Sequence, residues 1–343
     1  MAYTTISKAS SFQNTKLYTG NGAVTTQTGV GFQPDMVWIK DRDATNNHEI
    51  TDSVRGANYQ IYPNLTNAQT NAGGHVTAFA SDGFTLGTDG STNTDDNGYR
   101  AWNWKAGTTS GLSGGTITPD AYSINTTSGF GIYKYDGNGS SGATIAHGLG
   151  KIPRMIIVKR IDSTPNWVIY HAAMGAGKWI EFTSGSEQTG TSRWNDTSPT
   201  SSLFYLGNDS DVNGNGNTYI AYVFCDVPGF CKIGNYKGNG DNNGTFVYTG
   251  FRPTWVIIKS NTRSSSWDIS DFKTLPRNPF TYRSTPHNNA ADYTGVEIYK
   301  DYLSNGFKIR ASDTDTNEDN RDYFYMAFGQ TLVGSNNVCC TAR

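Results

Sequence analysis

Three copies of one series of landmarks run through this sequence, and they limit its possible folds more than any other feature. A Gly-Asn-Gly turn stands at Gly20, Gly137 and Gly238. After each turn comes an apolar segment that begins with proline and ends with lysine six residues later: Pro34–Lys40, Pro153–Lys159 and Pro253–Lys259. Self-similarity of this kind is the sequence signature of a chain built from repeated structural units.

The spacing of the landmarks favours a true repeat over chance. They recur after 117 to 120 residues and then after 100 to 106 residues. Each unit also closes with a strand of the form aromatic-x-Ala-aromatic: Tyr99–Trp102, Tyr219–Tyr222 and Tyr325–Phe328. Near-constant intervals over several independent landmarks predict three units in tandem.

The boundaries of the units follow from these intervals. We predict units at residues 1–106, 129–228 and 229–343, the last with a C-terminal tail. The first interval is longer than the second, and its extra residues fall at 107–128. This segment is rich in Gly, Ser and Thr and is typical of a flexible or extended linker.

Composition assigns a fold class to the repeated unit. The chain has 39 glycines, 20 tyrosines and 16 phenylalanines, a mixture typical of short strands joined by tight turns. We predict an all-β fold with little helix, in which each unit is a β-sandwich with jelly-roll-like or immunoglobulin-like connections. Continuous apolar runs such as Met155–Val158 predict strands that are buried on both faces.

Charge and hydropathy argue against several classes of partner. The formal net charge is −2 and no basic stripe stands out, so nucleic acid binding has no electrostatic support. No apolar run reaches the roughly 18 residues that a membrane span needs, so we expect no membrane insertion. Met1–Ser11 is polar and lacks the apolar core of a signal peptide, which favours synthesis in a cytoplasm.

The four cysteines do not form the pattern of a disulfide scaffold. Cys225 and Cys231 could close a short loop, but we favour two isolated buried thiols. Cys339 and Cys340 are adjacent near the terminus and are interpreted as tail residues.

Catalytic signatures are scarce. Gly137–Gly142 formally fits the dinucleotide pattern G-x-G-x-x-G, but a strand rather than a helix follows it, so we interpret it as a hairpin turn. The five histidines include no i, i+4 pair and no Cys-x-x-Cys occurs, so zinc has no support. We predict that the protein is not an enzyme. A glycosidase needs only two well-placed carboxylates, and that alternative stays open.

One loop in each unit is rich in Asp and Asn and could bind calcium. Oxygen ligands at alternate positions suit Ca²⁺, and two loops supply them: Asp209, Asp211 and Asn213, then Asp313, Asp315 and Asn317. The closing Glu of a calcium loop is absent. The other interpretation is a solvated hairpin loop, with no cofactor of any kind.

Two tryptophans occupy matching positions eight residues after the lysines. Trp167 and Trp267 are candidates for core or subunit contacts, or for a flat platform that stacks against sugars. His48 stands at the matching position of the first unit, which favours packing.

Several longer segments together carry a family resemblance. They are Leu17–Gly22, Gly29–Lys40, Asp52–Gly56, Ser81–Gly87, Ala101–Gly107, Val158–Arg160, Trp194–Ser198 and Gly244–Pro253. The set resembles a family of virion structural proteins from tailed bacteriophages, especially marine ones, from about residue 12 to Arg343. The resemblance implies a tail, fibre-like or other surface component of the particle and carries no catalytic residues with it.

These observations lead to one expected function and two alternatives. We expect a non-enzymatic virion protein of the tail or a fibre-like appendage, made in the host cytoplasm, that attaches to host-surface glycans. Its expected partners are other virion proteins, further copies of itself and a glycan. The alternatives are a capsid decoration or adaptor protein that binds only virion proteins, and a glycan depolymerase.

Overall fold

A computed structural model describes residues 4–331, and Cys339 and Cys340 lie outside this range. Within it the regular secondary structure consists almost entirely of antiparallel strands, which confirms the predicted all-β class. Helix is limited there to 3₁₀ turns at Ala9–Ser11 and Val296–Ile298 and to α1, Gly90–Asn93. None of these described helices has the length and apolar character that a membrane crossing requires.

The strands of the described residues fall into three sets of nine. The first set is β1 Gln13–Thr19, β2 Thr25–Thr28, β3 Met36–Asp41, β4 Glu49–Asp52, β5 Tyr59–Gln60, β6 Thr70–Asn71, β7 Val76–Ala80, β8 Gly83–Leu86 and β9 Gly98–Trp104. The second is β10 Ala121–Asn125, β11 Phe130–Asp136, β12 Ala143–Ala146, β13 Pro153–Arg160, β14 Val168–His171, β15 Lys178–Trp179, β16 Gln188–Thr189, β17 Leu203–Leu206 and β18 Thr218–Cys225. The third is β19 Cys231–Lys237, β20 Phe246–Tyr248, β21 Arg252–Ser260, β22 Asp268–Asp271, β23 Tyr282–Arg283, β24 Tyr293–Thr294, β25 Lys300–Leu303, β26 Gly306–Ile309 and β27 Asp322–Gln330.

One strand topology occurs three times. The main sheets have the orders β1-β9-β3-β4, β11-β18-β13-β14 and β19-β27-β21-β22, with β10 added at the edge of the second. A small sheet accompanies each one: β2-β8-β7, β12-β17 and β20-β26-β25. In every main sheet an early strand pairs with the last strand of the unit: β1 with β9, β11 with β18 and β19 with β27. The strand that follows pairs within the small sheet: β2 with β8, β12 with β17 and β20 with β26. This nesting is that of a jelly-roll-like sandwich.

Each main sheet is buried on both faces, as the apolar runs predicted. In β13, Ile156 and Val158 enter an outer core between the main and small sheets of their own unit. Met155 and Ile157, which point the opposite way, enter a second core that contains residues from all three units. We call this second core the common core. Complete burial of such side chains stabilises the fold by about 1.5–3 kcal/mol each, so the units depend on one another.

The common core has approximate threefold symmetry. Trp104, Phe224 and Phe328 are the equivalent last inward residues of β9, β18 and β27. Their ring centroids are 6.4 Å apart for Trp104 and Phe224, 6.0 Å for Trp104 and Phe328, and 6.1 Å for Phe224 and Phe328. The interplanar angles are 68°, 69° and 68°. Three similar edge-to-face contacts form a triangle within the common core.

The closing strand of the third unit, β27, aligns with the closing strands of the other units two residues earlier than the sequence pattern predicted. Tyr18 stacks on Tyr99 at 5.1 Å, and the corresponding pair in the third unit is Tyr236 and Tyr323 at 5.2 Å. Tyr323, two residues before Tyr325, is therefore the equivalent of Tyr99. The aromatic-x-Ala-aromatic pattern misaligned the strand because aromatic residues occupy both of its faces.

The second half of residues 107–128, from Ile117 on, packs against the second unit, whereas residues 107–116 are mostly exposed. Strand β10 pairs with β11, and Ile117 bridges to Ile145. Ile117 and Ile124 are buried in the outer core of the second unit. Burial of these two apolar side chains fixes residues 117–128 against the second unit, although the glycine and serine content of the segment had suggested a flexible linker.

Candidate functional site

The lysines that end the repeated apolar segments connect the three units. The pairs between units join Lys40 Nζ to Asn289 O at 3.4 Å, Lys159 Nζ to Thr66 O at 2.9 Å and Lys259 Nζ to Ser184 O at 3.4 Å. The first unit thus contacts the third, the second contacts the first and the third contacts the second. The contacts form a closed cycle, as threefold symmetry requires.

Each of these ammonium groups also bonds to its own unit, at the carbonyls four and six residues further on. For Lys159 these are Ser163 O at 3.4 Å and Pro165 O at 2.8 Å. Burial lowers the pKa of Lys40, Lys159 and Lys259 to about 8. Three carbonyl acceptors around each nitrogen compensate for the water that burial removes.

Trp167 and Trp267 make contacts between units. Trp167 Nε1 donates to Tyr62 O at 3.1 Å in the first unit. Trp267 Nε1 donates to Thr183 O at 3.0 Å in the second unit. The two side chains are only 2% and 0% exposed, so neither ring offers a face to a sugar. Of the two interpretations of these residues, the structure therefore agrees with packing.

The predicted calcium residues are paired with arginine. Arg193 contacts the carboxylates of Asp209 and Asp211, the latter at 2.8 Å. Arg283 lies 3.4 Å from Asp313 and 2.8 Å from Asp315. In both loops a guanidinium occupies the space between the carboxylates in which a cation would have to bind. The calcium interpretation therefore lacks an open site in either loop.

The two asparagines of the predicted calcium loops hold the Gly-Asn-Gly turns. Asn213 Nδ2 donates to Ser140 O at 2.9 Å and to Gly207 O at 2.8 Å. Asn317 Nδ2 donates to Asp241 O at 2.9 Å and to Ala311 O at 2.9 Å. Both side chains are fully buried, so their role is to fix the loop rather than to bind an ion.

The two described cysteines are separate buried thiols, as expected. Cys225 lies in the outer core of the second unit and Cys231 in the common core, and they are not bonded to each other. Burial raises the pKa of Cys225 to about 12, which keeps it protonated and unreactive.

One cluster of potential metal ligands was missed by the sequence patterns. Glu49 begins β4, His75 precedes β7, and Asp89 precedes α1. His75 Nδ1 is 2.8 Å from Glu49 Oε2 and 3.3 Å from Asp89 Oδ1. Burial raises the pKa of the Glu49 carboxyl. Three separate elements supply the ligands, so no local spacing could have revealed them.

The outer face of the small sheet in the third unit carries exposed aromatic rings. Phe246 and Tyr248 lie on edge strand β20 and are 42% and 62% exposed. The register places Phe246 beside Lys308, which lies beside Asp301. Residues that are directly opposite in antiparallel strands share a face, so the rings and these charges form one surface. We call Phe246, Tyr248, Lys308 and Asp301 the aromatic platform.

The corresponding strands of the other units lack these rings. Strand pairing aligns Phe246 and Tyr248 with Thr26 and Thr28 in β2, and with Thr144 and Ala146 in β12. Only the third unit therefore exposes two aromatic side chains at these positions. Comparison of the three repeats within the sequence is the signal that could have found this surface.

A groove adjoins the platform. It has a volume of about 680 Å³ and is lined by Asn278, Tyr299, Asp301 and Arg310, among others. Arg310 Nη1 lies 3.2 Å from Asp301 Oδ2. Amide, carboxylate and guanidinium groups therefore stand close to the exposed rings.

Together these features define an all-β protein in which three equivalent units enclose one core and one unit displays an aromatic surface. The sequence matches, over residues 8–331, the family model described as "Domain of unknown function (DUF7483)", and the chain belongs to this family. A comparison with curated proteins found no match.

Proposed function

We propose that this chain is a non-enzymatic structural protein of a tailed-bacteriophage particle and that its aromatic platform attaches the particle to host-surface glycans. We place it in the tail or in a fibre-like appendage, in contact with other virion proteins and with further copies of itself. The resemblance of the sequence segments to virion proteins supports the setting. The platform supports the binding role and carries the proposal.

The chemistry of the platform suits a sugar. A flat aromatic ring packs against the apolar face of a pyranose, while amide and charged groups bond to the hydroxyls around its rim. Phe246 and Tyr248 supply the rings. Asp301, Arg310 and Asn278 supply donors and acceptors in the adjoining groove.

The cost of exposing the rings also supports a binding role. Apolar patches on soluble proteins commonly mark interaction sites. The sister strands fold with threonine and alanine at the same positions, so the sandwich does not need aromatic residues there.

The test is binding of the purified full chain to an array of bacterial envelope glycans. We expect the double variant Phe246→Ala, Tyr248→Ala to weaken binding about tenfold or more, which corresponds to about 1.4 kcal/mol. Thr144→Ala is the matched control, because it changes the equivalent strand of the second unit. Binding that survives loss of both rings contradicts the platform, and release of reducing sugar from host envelope supports a depolymerase instead.

A decoration or adaptor protein is the second candidate. The threefold arrangement of the units favours it, because a body with three equivalent sides fits a threefold position in a symmetric particle. A particle structure in which the platform is buried against another virion protein supports this candidate.

A further inference from the structure

The cluster of Glu49, His75 and Asp89 differs from its counterparts in the other units in the side chain that faces the carboxylates. The other units place an arginine or a lysine there, and the first unit places His75. Backbone hydrogen bonds show that His75 occupies the position of Arg193. Gly87 N donates to His75 O at 2.8 Å, as Gly207 N donates to Arg193 O at 2.9 Å.

The equivalent carboxylates elsewhere have a permanent cation. In the second unit Arg193 pairs with Asp209, the counterpart of Asp89. In the third unit Lys300 Nζ lies 2.8 Å from Asp268 Oδ2, and Asp268 is the counterpart of Glu49 in strand pairing. The first unit instead places two carboxylates around a single imidazole.

The buried groups of this cluster face mainly one another, in contacts that do not have full hydrogen-bond geometry. Glu49 and His75 are 2% and 5% exposed. Within the described part of the chain, the polar neighbours of the Glu49 carboxylate are the His75 imidazole at 2.8 Å and Ser91, and neither contact has full hydrogen-bond geometry. Unsatisfied buried polar atoms are costly and call for an explanation such as a bound ion.

We propose that Glu49, His75 and Asp89 bind a divalent transition-metal cation of the zinc class. The three ligand atoms lie within 4.8 Å of one another. Tetrahedral bonds of about 2.0–2.2 Å from zinc to nitrogen and oxygen place neighbouring ligand atoms about 3.3–3.6 Å apart. The 3.3 Å separation of Nδ1 from Asp89 fits this geometry, and the 2.8 Å separation from Glu49 needs to open by about 0.5 Å when an ion binds.

The ligand types select the metal. Imidazole with carboxylates suits zinc and related transition metals, whereas Ca²⁺ takes six to eight oxygen ligands. The Asp89 side chain is 33% exposed, so an ion can enter from solvent and retain water at its remaining position. A bound ion would tie β4, the start of β7 and the α1 turn together at the rim of the first unit.

The test is calorimetric titration of the chelator-treated full chain with Zn²⁺ at pH 7. We expect one site per chain, and a higher melting temperature when it is filled. His75→Arg, which copies the second unit, should abolish that site. Asp89→Asn preserves the turn, since Asn also caps helices, and should weaken binding about tenfold or more. Asp95→Asn, an exposed change in the same loop, should bind as the unaltered protein does.

Two results would overturn the site. One is the absence of saturable heat with Zn²⁺, which would mean that a shared proton links His75 and Glu49. The other is binding that His75→Arg retains while circular dichroism shows a folded protein, because the ion would then be held elsewhere.

Discussion

The Nζ atom of Lys159 lies 2.9 Å from the carbonyl oxygen of Thr66, so the second unit of the chain donates a buried hydrogen bond to the first. The equivalent bonds of Lys40 and Lys259 complete a cycle around the molecule. Together with the triangle of Trp104, Phe224 and Phe328, this cycle connects the three sandwiches around one core. The first two predictions concern the contacts between units.

Replacement of Lys159 by methionine should destabilise the protein by about 2 kcal/mol. Removing the desolvated charge is favourable, but the carbonyls of Thr66 and Pro165 lose a charged donor and stay buried. Chemical denaturation measures the difference. Lys237→Met, on an exposed lysine, should change stability by less than about 0.5 kcal/mol. Equal effects of the two variants would contradict a connecting role for Lys159.

Stability should fall on acidification because of His171. Burial lowers its pKa to about 3, and its ring stacks on Phe324 of the third unit at 4.4 Å. Below about pH 6.5 the unfolded chain takes up a proton at this residue that the folded protein does not, so stability is lost as pH falls towards 3.

The expected size of this effect is about 2 kcal/mol between pH 7 and pH 5. Denaturation curves across this range should therefore be flatter for His171→Gln than for the unaltered protein. Parallel curves would mean that His171 is already charged in the folded state.

Replacement of Ile157 by aspartate should unfold all three units together. Ile157 lies in the common core, and an unpaired charge there costs several kcal/mol. Ile152→Asp is a matched control, since Ile152 is 55% exposed. Calorimetry should show a single transition that collapses only in the first variant. Survival of two melting units would contradict a shared core.

Calcium should produce no saturable heat with the full chain. The guanidinium groups of Arg193 and Arg283 already neutralise the carboxylates of the two loops. The full chain is the right sample, because a single unit would expose its share of the common core. Saturable heat that disappears in Asp211→Asn would restore the calcium interpretation.

Periodic features of the sequence predicted much of the fold. Continuous apolar runs indicated strands buried on both faces, and Ile156 and Ile157 do enter different cores. The separate thiols of Cys225 and Cys231 were also expected. These features are local, because a strand's own residues determine which of its faces can be buried.

By itself, the sequence determined an all-β chain with three recurring sets of strands. Only the tertiary structure decided that the sheets share one core and that Trp167 and Trp267 point into neighbouring units. It also decided that arginines pair with the Asp-rich loops, and that Glu49, His75 and Asp89 meet. Each of these depends on contacts between residues far apart in the chain. A repeated pattern shows which surfaces are apolar, but the packing of one surface against another depends on the shapes and charges of both.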